Sequence, residues 1–219
     1  MGLNTSKGNM YDWITHTWNT VKGECYHNCS YCYMKRWGQL NPVRFDESEL
    51  KTDLGEENFI FVGSSCDMWA ENIPEEWIIK TLEHCAKYDR NQYLFQTKNP
   101  AKIRRILPDL SRVCITMETN RFFPIIMGKS PIPEERYAES KLIRHPLYIT
   151  IEPIMYFDLQ RFSDMLIDLS PEQINIGADS GKNDLPEPSK EEILSLITTL
   201  ANAGLKIKMK KNLDRIINN

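Results

Sequence analysis

The alternation of two kinds of segment constrains the fold of this chain most strongly. Short runs rich in β-branched and aromatic residues recur along it, and amphipathic, helix-forming segments separate most of them. Strands that alternate with helices pair in parallel, through right-handed crossovers. The predicted strands cover residues 12–18, 58–63, 92–97, 112–118, 147–152, 173–178 and 205–210.

The helical segments carry start and stop signals. Proline opens three of them, at a first-turn position where its missing N–H leaves no helical hydrogen bond unmade. Ser189 is the predicted N-cap of the last helix and Gly204 its predicted C-cap. The predicted helices cover residues 74–88, 100–107, 133–143, 158–169 and 189–204.

Six or seven parallel strands do not fill an eight-stranded barrel. The sequence therefore predicts an α/β fold, namely an incomplete (partial) parallel β/α barrel of about six to seven strands, splayed open and forming a single domain over residues 1–219. In such folds the functional groups lie just beyond the C-terminal ends of the strands. We expect the site at that edge.

Composition and charge narrow the functional classes. Hydrophobic residues make up 41% of the chain and charged residues 26%, which is typical of a globular protein in water. No apolar run approaches the roughly 20 residues of a membrane helix, and the N-terminus lacks a signal-peptide core. We therefore expect a cytoplasmic protein with no membrane partner. The net charge is −3, so any nucleic-acid contact has to come from a local basic patch.

Three of the six cysteines lie within eight residues, as Cys25, Cys29 and Cys32, shortly after the first predicted strand. In a reducing compartment, clustered cysteines are more often metal ligands or catalytic groups than disulfides. A zinc site of three cysteines and His27 is one alternative, although ligands so close in sequence do not easily all reach one ion.

An iron–sulfur cluster is the other reading of this loop, because short loops of thiolates hold such clusters. A full [4Fe–4S] cube takes four ligands, so three cysteines leave one iron open to a substrate or cofactor. A simple electron carrier remains a further alternative. Metal analysis separates the readings, with iron and sulfide near four per chain expected for a cluster and zinc near one for the other site.

The C-x3-C-x2-C spacing after the first strand resembles the radical S-adenosylmethionine superfamily, which also favours an aromatic residue before the third cysteine, here Tyr31. The resemblance extends over nearly the whole chain. Further motifs have the order and spacing of a small, phage-associated subfamily of radical-SAM-like proteins that distantly resembles the spore photoproduct lyase group. They are THTWNTVKGECYHNCSYCY, FVGSSCDMW, FQTKNP, TMETN, IEPI and NIGADSG.

This resemblance implies a radical-SAM core, with a [4Fe–4S] cluster on the three cysteines and S-adenosylmethionine chelated to the open iron. It implies reductive cleavage to a 5′-deoxyadenosyl radical that abstracts hydrogen from a substrate. An external one-electron reductant of flavodoxin or ferredoxin type is then a partner. By analogy with photoproduct lyases, a nucleotide or nucleic-acid base is the candidate substrate.

The resemblance also places the cofactor-binding residues at the strand ends. In the superfamily a Gly-Gly-Glu-like segment after the second strand binds the amino group of S-adenosylmethionine, and this chain departs from that pattern. Polar groups at the ends of apolar strands are costly to bury unless they bind something. The expected cofactor-binding residues are Tyr31, Gly63, Ser64, Ser65, Asp67, Lys98, Glu118, Asn120, Glu152 and Asp179.

Their expected roles differ. Lys98 is placed to meet a carboxylate, and Glu118 and Asn120 suit ribose hydroxyls. Glu152 and Asp179 remain for ribose or substrate. Purely structural roles are open for several of them, because Asn120 and Asp179 are also typical of turns and caps.

The other cysteines divide into two kinds. Cys66, at the mouth of the second strand, is either a small buried thiol or a catalytic hydrogen-atom donor or radical relay. Cys85 falls on the apolar face of a predicted helix and Cys114 within a predicted strand, so both are expected in the core.

Histidines and C-terminal lysines complete the candidates. His16 is expected as a core residue, and His84 and His145 on a helix surface or loop. Three lysines alternate along the last strand, and such a face is usually solvated, but beside an open cleft it could hold phosphates. These are Lys206, Lys208 and Lys210.

Overall fold

A computed structural model describes residues 3–7, 11–103 and 107–218 of the chain. Its main sheet has eight strands in the order β1-β2-β5-β6-β7-β8-β9-β10, while β3 and β4 form a separate antiparallel pair. The strands are β1 (Asn4–Thr5), β2 (His16–Trp18), β3 (Val21–Lys22), β4 (Arg44–Phe45), β5 (Phe59–Val62), β6 (Gln92–Thr97), β7 (Ser111–Thr116), β8 (Leu147–Ile151), β9 (Gln173–Ile176) and β10 (Ile207–Met209).

The strand pairing confirms the predicted α/β architecture. From β2 to β10 all neighbours in the main sheet are parallel, and only β1 pairs antiparallel, on β2. All seven predicted strands are present, and β1 is an additional two-residue edge strand. The sheet remains open, because β1 and β10 are its two edges.

Helices follow most strands, at nearly the predicted positions. The exception is residues 100–107, where only a 3-10 helix, Pro100–Ile103, is formed and residues 104–106 lie outside the described part. The α-helices are α1 (Glu75–Ala86), α2 (Pro124–Met127), α3 (Pro133–Ser140), α4 (Leu159–Leu169), α5 (Lys190–Asn202) and α6 (Asp214–Ile217). None of the helices described is long and apolar enough to cross a membrane.

The capping signal at α5 is confirmed. The Ser189 hydroxyl accepts from the Glu192 backbone N–H at 3.2 Å, and the Glu192 carboxylate accepts from the Ser189 N–H at 2.7 Å. This reciprocal pair satisfies N–H groups that a helix start otherwise leaves unpaired.

The first predicted strand is too long. Residues 12–15 do not extend β2; they turn into the interior of the half-barrel instead. Tyr11 and Trp13 stack there at 5.0 Å, and Trp13 packs against Phe59 and Tyr148. These aromatic rings bury more surface inside the barrel than at a sheet edge, which is why the strand pattern misleads here.

Two histidine predictions are also wrong. His84 is buried, because it lies on the inner face of α1 beside Trp18, and its Nε2 is 2.9 Å from the Thr52 carbonyl oxygen. His16 is half-exposed, since β2 lies near the edge of the sheet, and its Nδ1 is 2.9 Å from the Thr15 hydroxyl. Cys85 and Cys114 are fully buried in the core, as predicted.

Candidate functional site

The cysteine loop consists of two consecutive turns that follow β3. The Asn28 N–H donates to the Cys25 carbonyl at 3.1 Å, and the Cys32 N–H donates to the Cys29 carbonyl at 3.2 Å. Cys29 is buried, while Cys25 and Cys32 are half-exposed. The loop therefore presents three thiols from a short, locally hydrogen-bonded stretch.

A segment between β7 and α3 holds this loop from one side. The Ser30 N–H donates to the Ile126 carbonyl and the Lys129 N–H donates to the His27 carbonyl, both at 2.8 Å. Gly128 between them has φ +61°, and a Cβ there would penetrate the His27 carbonyl oxygen and lie 2.9 Å from that of Asn28. Only a glycine allows the two backbones to come this close.

A buried contact between His27 and Asp67 holds the loop from the other side. His27 Nε2 lies 2.8 Å from Asp67 Oδ2. The same oxygen accepts from the Thr97 hydroxyl at 2.9 Å and from the Lys98 N–H at 3.0 Å. Burial by itself raises the pKa of Asp67, but the interaction with His27 and the backbone N–H groups of Lys98 and Trp69 lower it overall.

The His27–Asp67 contact bears on two sequence predictions. Asp67 is engaged by the protein itself, so it fixes the cysteine loop to the ends of β5 and β6. His27 faces Asp67 with its Nε2. Within the described ranges, no three His, Cys, Asp or Glu side chains are grouped as ligands of a single metal ion.

Cys66 lies beyond the end of β5, buried against the cysteine loop. Its proximity lowers the pKa of Cys25 to about 6, even though burial opposes this. The same proximity, together with burial, raises the pKa of Cys66. Burial raises the pKa of Cys29 as well.

The ends of β6 and β7 bring four charged or polar side chains together. Glu118 has no exposed surface; its Oε2 accepts from Arg136 Nη1 at 2.6 Å, and its Oε1 lies 3.5 Å from Lys98 Nζ. Tyr31 donates its hydroxyl to Glu118, and Lys98 lies over the Tyr31 ring at 5.3 Å. Three predicted residues, Tyr31, Lys98 and Glu118, are thus in contact.

The pKa of Glu118 depends on the buried side chain of Arg136. Burial raises the pKa of the Glu118 carboxyl, but Arg136 and Lys98 together bring it down to about 2. Arg136 is fully buried and also donates to the Thr116 and Pro131 carbonyls. Sequence reasoning missed Arg136, although its position three residues after Pro133 and four before Ser140 places it on the buried face of α3.

The segment after β5 is held by a residue that the sequence did not single out. Asn19 Oδ1 accepts from the Ser65 N–H at 2.9 Å and lies 3.2 Å from the Ser64 hydroxyl. Tyr33 donates its hydroxyl to the Ser64 carbonyl at 2.7 Å. Gly63, Ser64 and Ser65 are half-exposed beside the cysteine loop.

Asn120 and Asp179 have local partners. Asn120 Oδ1 accepts from the Asp158 N–H at 2.9 Å, before the start of α4. Asp179 accepts from the N–H groups of Gly181 and Asn183, which is typical of an Asx turn.

Glu152 lies at the end of β8 and faces the last strand. Its carboxylate accepts from Lys210 Nζ at 2.5 Å and from Asn212 Nδ2 at 2.8 Å. Gly177 makes room for this contact, because a Cβ there would lie 2.8 Å from Glu152 Oε1 and 2.9 Å from Asn212 Oδ1. Asn212 was not predicted from the sequence.

The C-terminal lysines do not form a free cationic face. Lys208 pairs with Asp12 at 2.7 Å and Lys210 with Glu152 at 2.5 Å. Of these three lysines, Lys206 alone is exposed and has no carboxylate partner among the described residues. The reason is that residues 11–14 cross the half-barrel and reach β10. The lateral opening is therefore partly closed by the chain itself.

No protein-family model and no curated protein matches this sequence. Solved structures of spore photoproduct lyase do match the fold. A substituted form with bound AdoMet and dinucleoside spore photoproduct has a TM-score of 0.64 at 12% identity, over 98% of this chain and 76% of that one. The lyase complexed with dinucleoside spore photoproduct has a TM-score of 0.65 at 12% identity, over 95% and 79%. Another substituted form reaches 0.68 at 12% identity, over 94% and 78%. The likeness shows a shared fold.

Proposed function

We propose that this protein is a radical S-adenosylmethionine enzyme, with a [4Fe–4S] cluster held by Cys25, Cys29 and Cys32. One observation carries the proposal. A C-x3-C-x2-C loop lies beside the carboxyl ends of the strands in a fold shared, over nearly the whole chain, with a lyase whose structure contains AdoMet. When bound, the cluster and S-adenosylmethionine together supply reductive cleavage to a 5′-deoxyadenosyl radical.

The residues present fit such a cluster. Three thiols project from two successive turns, and the neighbouring Cys66 lowers the pKa of Cys25. Metal ligands have to be deprotonated, and a lowered pKa favours binding. His27 Nε2 is directed to Asp67, but its Nδ1 has no hydrogen-bond partner in the described part of the chain, so a Cys3His zinc site is the alternative that metal analysis has to exclude.

The residues around the loop would bind S-adenosylmethionine. Lys98 has its ammonium near the loop, where it can meet the carboxylate of the ligand, and the backbone of residues 63–65 is open to its amino group. Buried Glu118 contacts both Lys98 and Tyr31, so it fixes the positions of these two side chains. A direct contact of Glu118 with ribose would require the Tyr31 ring to move.

The remaining predicted residues would contact the ribose of S-adenosylmethionine or the substrate. Asn120 and Glu152, half-exposed at the ends of β7 and β8, would meet ribose or substrate. Asp179 holds the turn after β9 and shapes that side. The substrate class to test first is a nucleotide or nucleic-acid base, because the lyase of the same fold binds a dinucleoside photoproduct. A flavodoxin or ferredoxin would supply the electron.

The position of Cys66 favours a second candidate function. This buried residue is in the core cluster against which Cys25 packs, so it brings a fourth thiol to the loop. If Cys66 were a fourth cluster ligand, no iron would be open, and the protein would be an electron carrier. If Cys66 is not a ligand, it stands beside the site as a candidate hydrogen-atom donor.

Cysteine substitution tests both candidates. After anaerobic reconstitution, Cys29→Ala is expected to lose the cluster chromophore and most of its iron, because three thiolates are the minimum set. Cys85→Ala is the matched control, since that thiol is buried far from the loop on α1, and it should keep the chromophore at some cost in stability.

Cys66→Ala separates the two functions. The proposed enzyme keeps its iron and sulfide in this variant, whereas a four-cysteine carrier loses them. A normal cluster in Cys29→Ala would contradict the ligand assignment altogether.

A further inference from the structure

Two segments next to the cysteine loop carry cations and no carboxylate. Residues 25–45 contain Lys35, Arg36 and Arg44 without a single Asp or Glu, and residues 119–133 contain Lys129 and Arg121, of which Arg121 is paired with Asp158. In a chain of net charge −3, Lys35, Arg36 and Lys129 then give a local positive field beside the proposed cluster.

The two segments are joined through the loop. The 119–133 segment is bonded to the loop at Ser30 and His27, and the 3-10 helix Tyr33–Trp37 begins directly on Cys32. Lys35 Nζ lies 3.4 Å from the Asn28 carbonyl, and Lys129 lies over the Tyr26 ring at 5.1 Å. The cations therefore surround the outer side of the loop.

Large apolar side chains stand among these cations. Trp37 is 72% exposed, Ile125 is 91% exposed and Phe122 is 46% exposed. We call the surface formed by Lys35, Arg36, Trp37, Phe122, Ile125 and Lys129 the collar. Exposed aromatic and aliphatic groups with a basic surround are typical of a protein-binding surface.

The collar cations lack the partners that cations elsewhere have. Arg90 faces Glu56 at 2.6 Å and Arg161 faces Glu134 at 2.5 Å. Within the described residues, Lys35, Arg36 and Lys129 contact only carbonyls and aromatic rings, and none of them is ion-paired. Their charge is available to an acidic partner.

We propose that the collar is the docking surface for an acidic one-electron carrier protein of the flavodoxin class. This inference rests on the proposed cluster. A 3-10 helix rises about 2 Å per residue, so a partner docked on Trp37 lies about 10 Å along the chain from the ligand Cys32. Electron transfer falls steeply with distance, and the collar is a short route from the surface to the thiolates.

Charge complementarity and location favour a carrier protein over a nucleic acid here. A nucleic-acid substrate has to bring a base to the strand ends inside the half-barrel, whereas an electron carrier only has to approach the outer side of the loop. Redox encounters bury less than about 1,200 Å² and depend on electrostatic steering, which a few cations around an apolar centre provide.

Flavodoxin binding, measured by titration calorimetry on both apo and reconstituted protein, tests the docking surface. The collar variants are the double charge reversal Lys35→Glu/Arg36→Glu and the single change Trp37→Ala. The matched control reverses two exposed lysines at the opposite end of the sheet, Lys87→Glu/Lys206→Glu, with the same total charge change.

The double reversal is expected to weaken flavodoxin binding about ten-fold or more at low salt. Trp37→Ala should weaken it at both low and high salt, and the control should bind as wild type. The rate at which flavodoxin hydroquinone reduces the cluster is divided by the rate at which dithionite reduces it in the same protein. This ratio should be lower in the collar variants than in the wild type.

Equal affinities for wild type and the collar variants would overturn the docking surface, as would an equal loss in the control. Loss of single-stranded oligonucleotide binding with flavodoxin binding intact would also overturn it and assign the collar to nucleic acid. A wild type that binds flavodoxin as apo protein but assembles no cluster would leave the collar in place and refute the proposed enzyme instead.

Discussion

At the scale of single residues, the Glu118–Arg136 ion pair explains how polar groups are kept at the end of β7. Neither side chain has exposed surface, and Arg136 satisfies the carboxylate while donating to two backbone carbonyls. Glu118 could be predicted from the sequence because it directly follows an apolar strand. Arg136 could not be paired with it, because nothing in one sequence shows that α3 lies across the end of β7.

Replacing Arg136 with Met tests this pair. At neutral pH we expect the free energy of unfolding to fall by about 3–5 kcal/mol, because a buried carboxylate loses its partner. Arg161→Met, which breaks an exposed ion pair, is the control and should cost less than about 1 kcal/mol. Urea unfolding measures both.

The pH dependence follows from the pKa of Glu118, which is about 2 in the folded protein against an ordinary value of 4.5. A lowered folded-state pKa stabilises the fold above the ordinary value, and this stabilisation is lost as the pH falls toward 2. The difference in the free energy of unfolding between wild type and Arg136→Met should therefore become smaller as the pH falls below 4.5. A difference that does not change with pH would disprove the assigned role of the Glu118–Arg136 ion pair. So would an equal loss of unfolding free energy in Arg136→Met and Arg161→Met.

At the scale of elements, regular helices and the cysteine loop differ in how far the sequence determines them. The start of α5 could be predicted, because Ser189 and Glu192 cap it through local hydrogen bonds. The segment between β7 and α3 could not be predicted, since its shape depends on contacts with the cysteine loop almost 100 residues earlier in the chain. Gly128 is the point where the two backbones meet.

Gly128→Ala tests whether that meeting point positions the loop. Gly204→Ala is a matched control, because Gly204 also has a positive φ, of 82°, but has no atom within 4 Å of an added Cβ. Gly204→Ala should cost about 1–2 kcal/mol through backbone strain, and Gly128→Ala should cost more, because its φ of 61° with ψ of −129° is open only to glycine and the added Cβ overlaps the His27 carbonyl oxygen. Only Gly128→Ala should also displace His27 and Asn28 and so lower the iron bound per chain after reconstitution. Equal iron content in the two variants would show that the loop does not depend on this contact.

At the scale of the whole molecule, the alternation of strands and helices was enough to predict an open, parallel β/α sheet. It was not enough to predict what fills the half-barrel. Trp13 falls within the predicted strand 12–18 and Tyr11 directly before it, yet both enter the interior, and Asp12 reaches Lys208 on the edge strand β10. Such a contact, between the segment before β2 and the last strand of the sheet, depends on the curvature of the whole sheet. For the same reason the lysine face expected on β10 is partly used in ion pairs.

At the same scale, the open iron of the proposed cluster is the central claim. Three cysteines, and not four, are proposed to hold the cluster, so one iron has to be free for S-adenosylmethionine. The most direct measurement is the electron paramagnetic resonance spectrum of the reduced, reconstituted protein with and without S-adenosylmethionine. We predict that adding S-adenosylmethionine shifts the cluster signal, in wild type and in Cys66→Ala alike. A reduced cluster whose spectrum is identical with and without S-adenosylmethionine would contradict the claim.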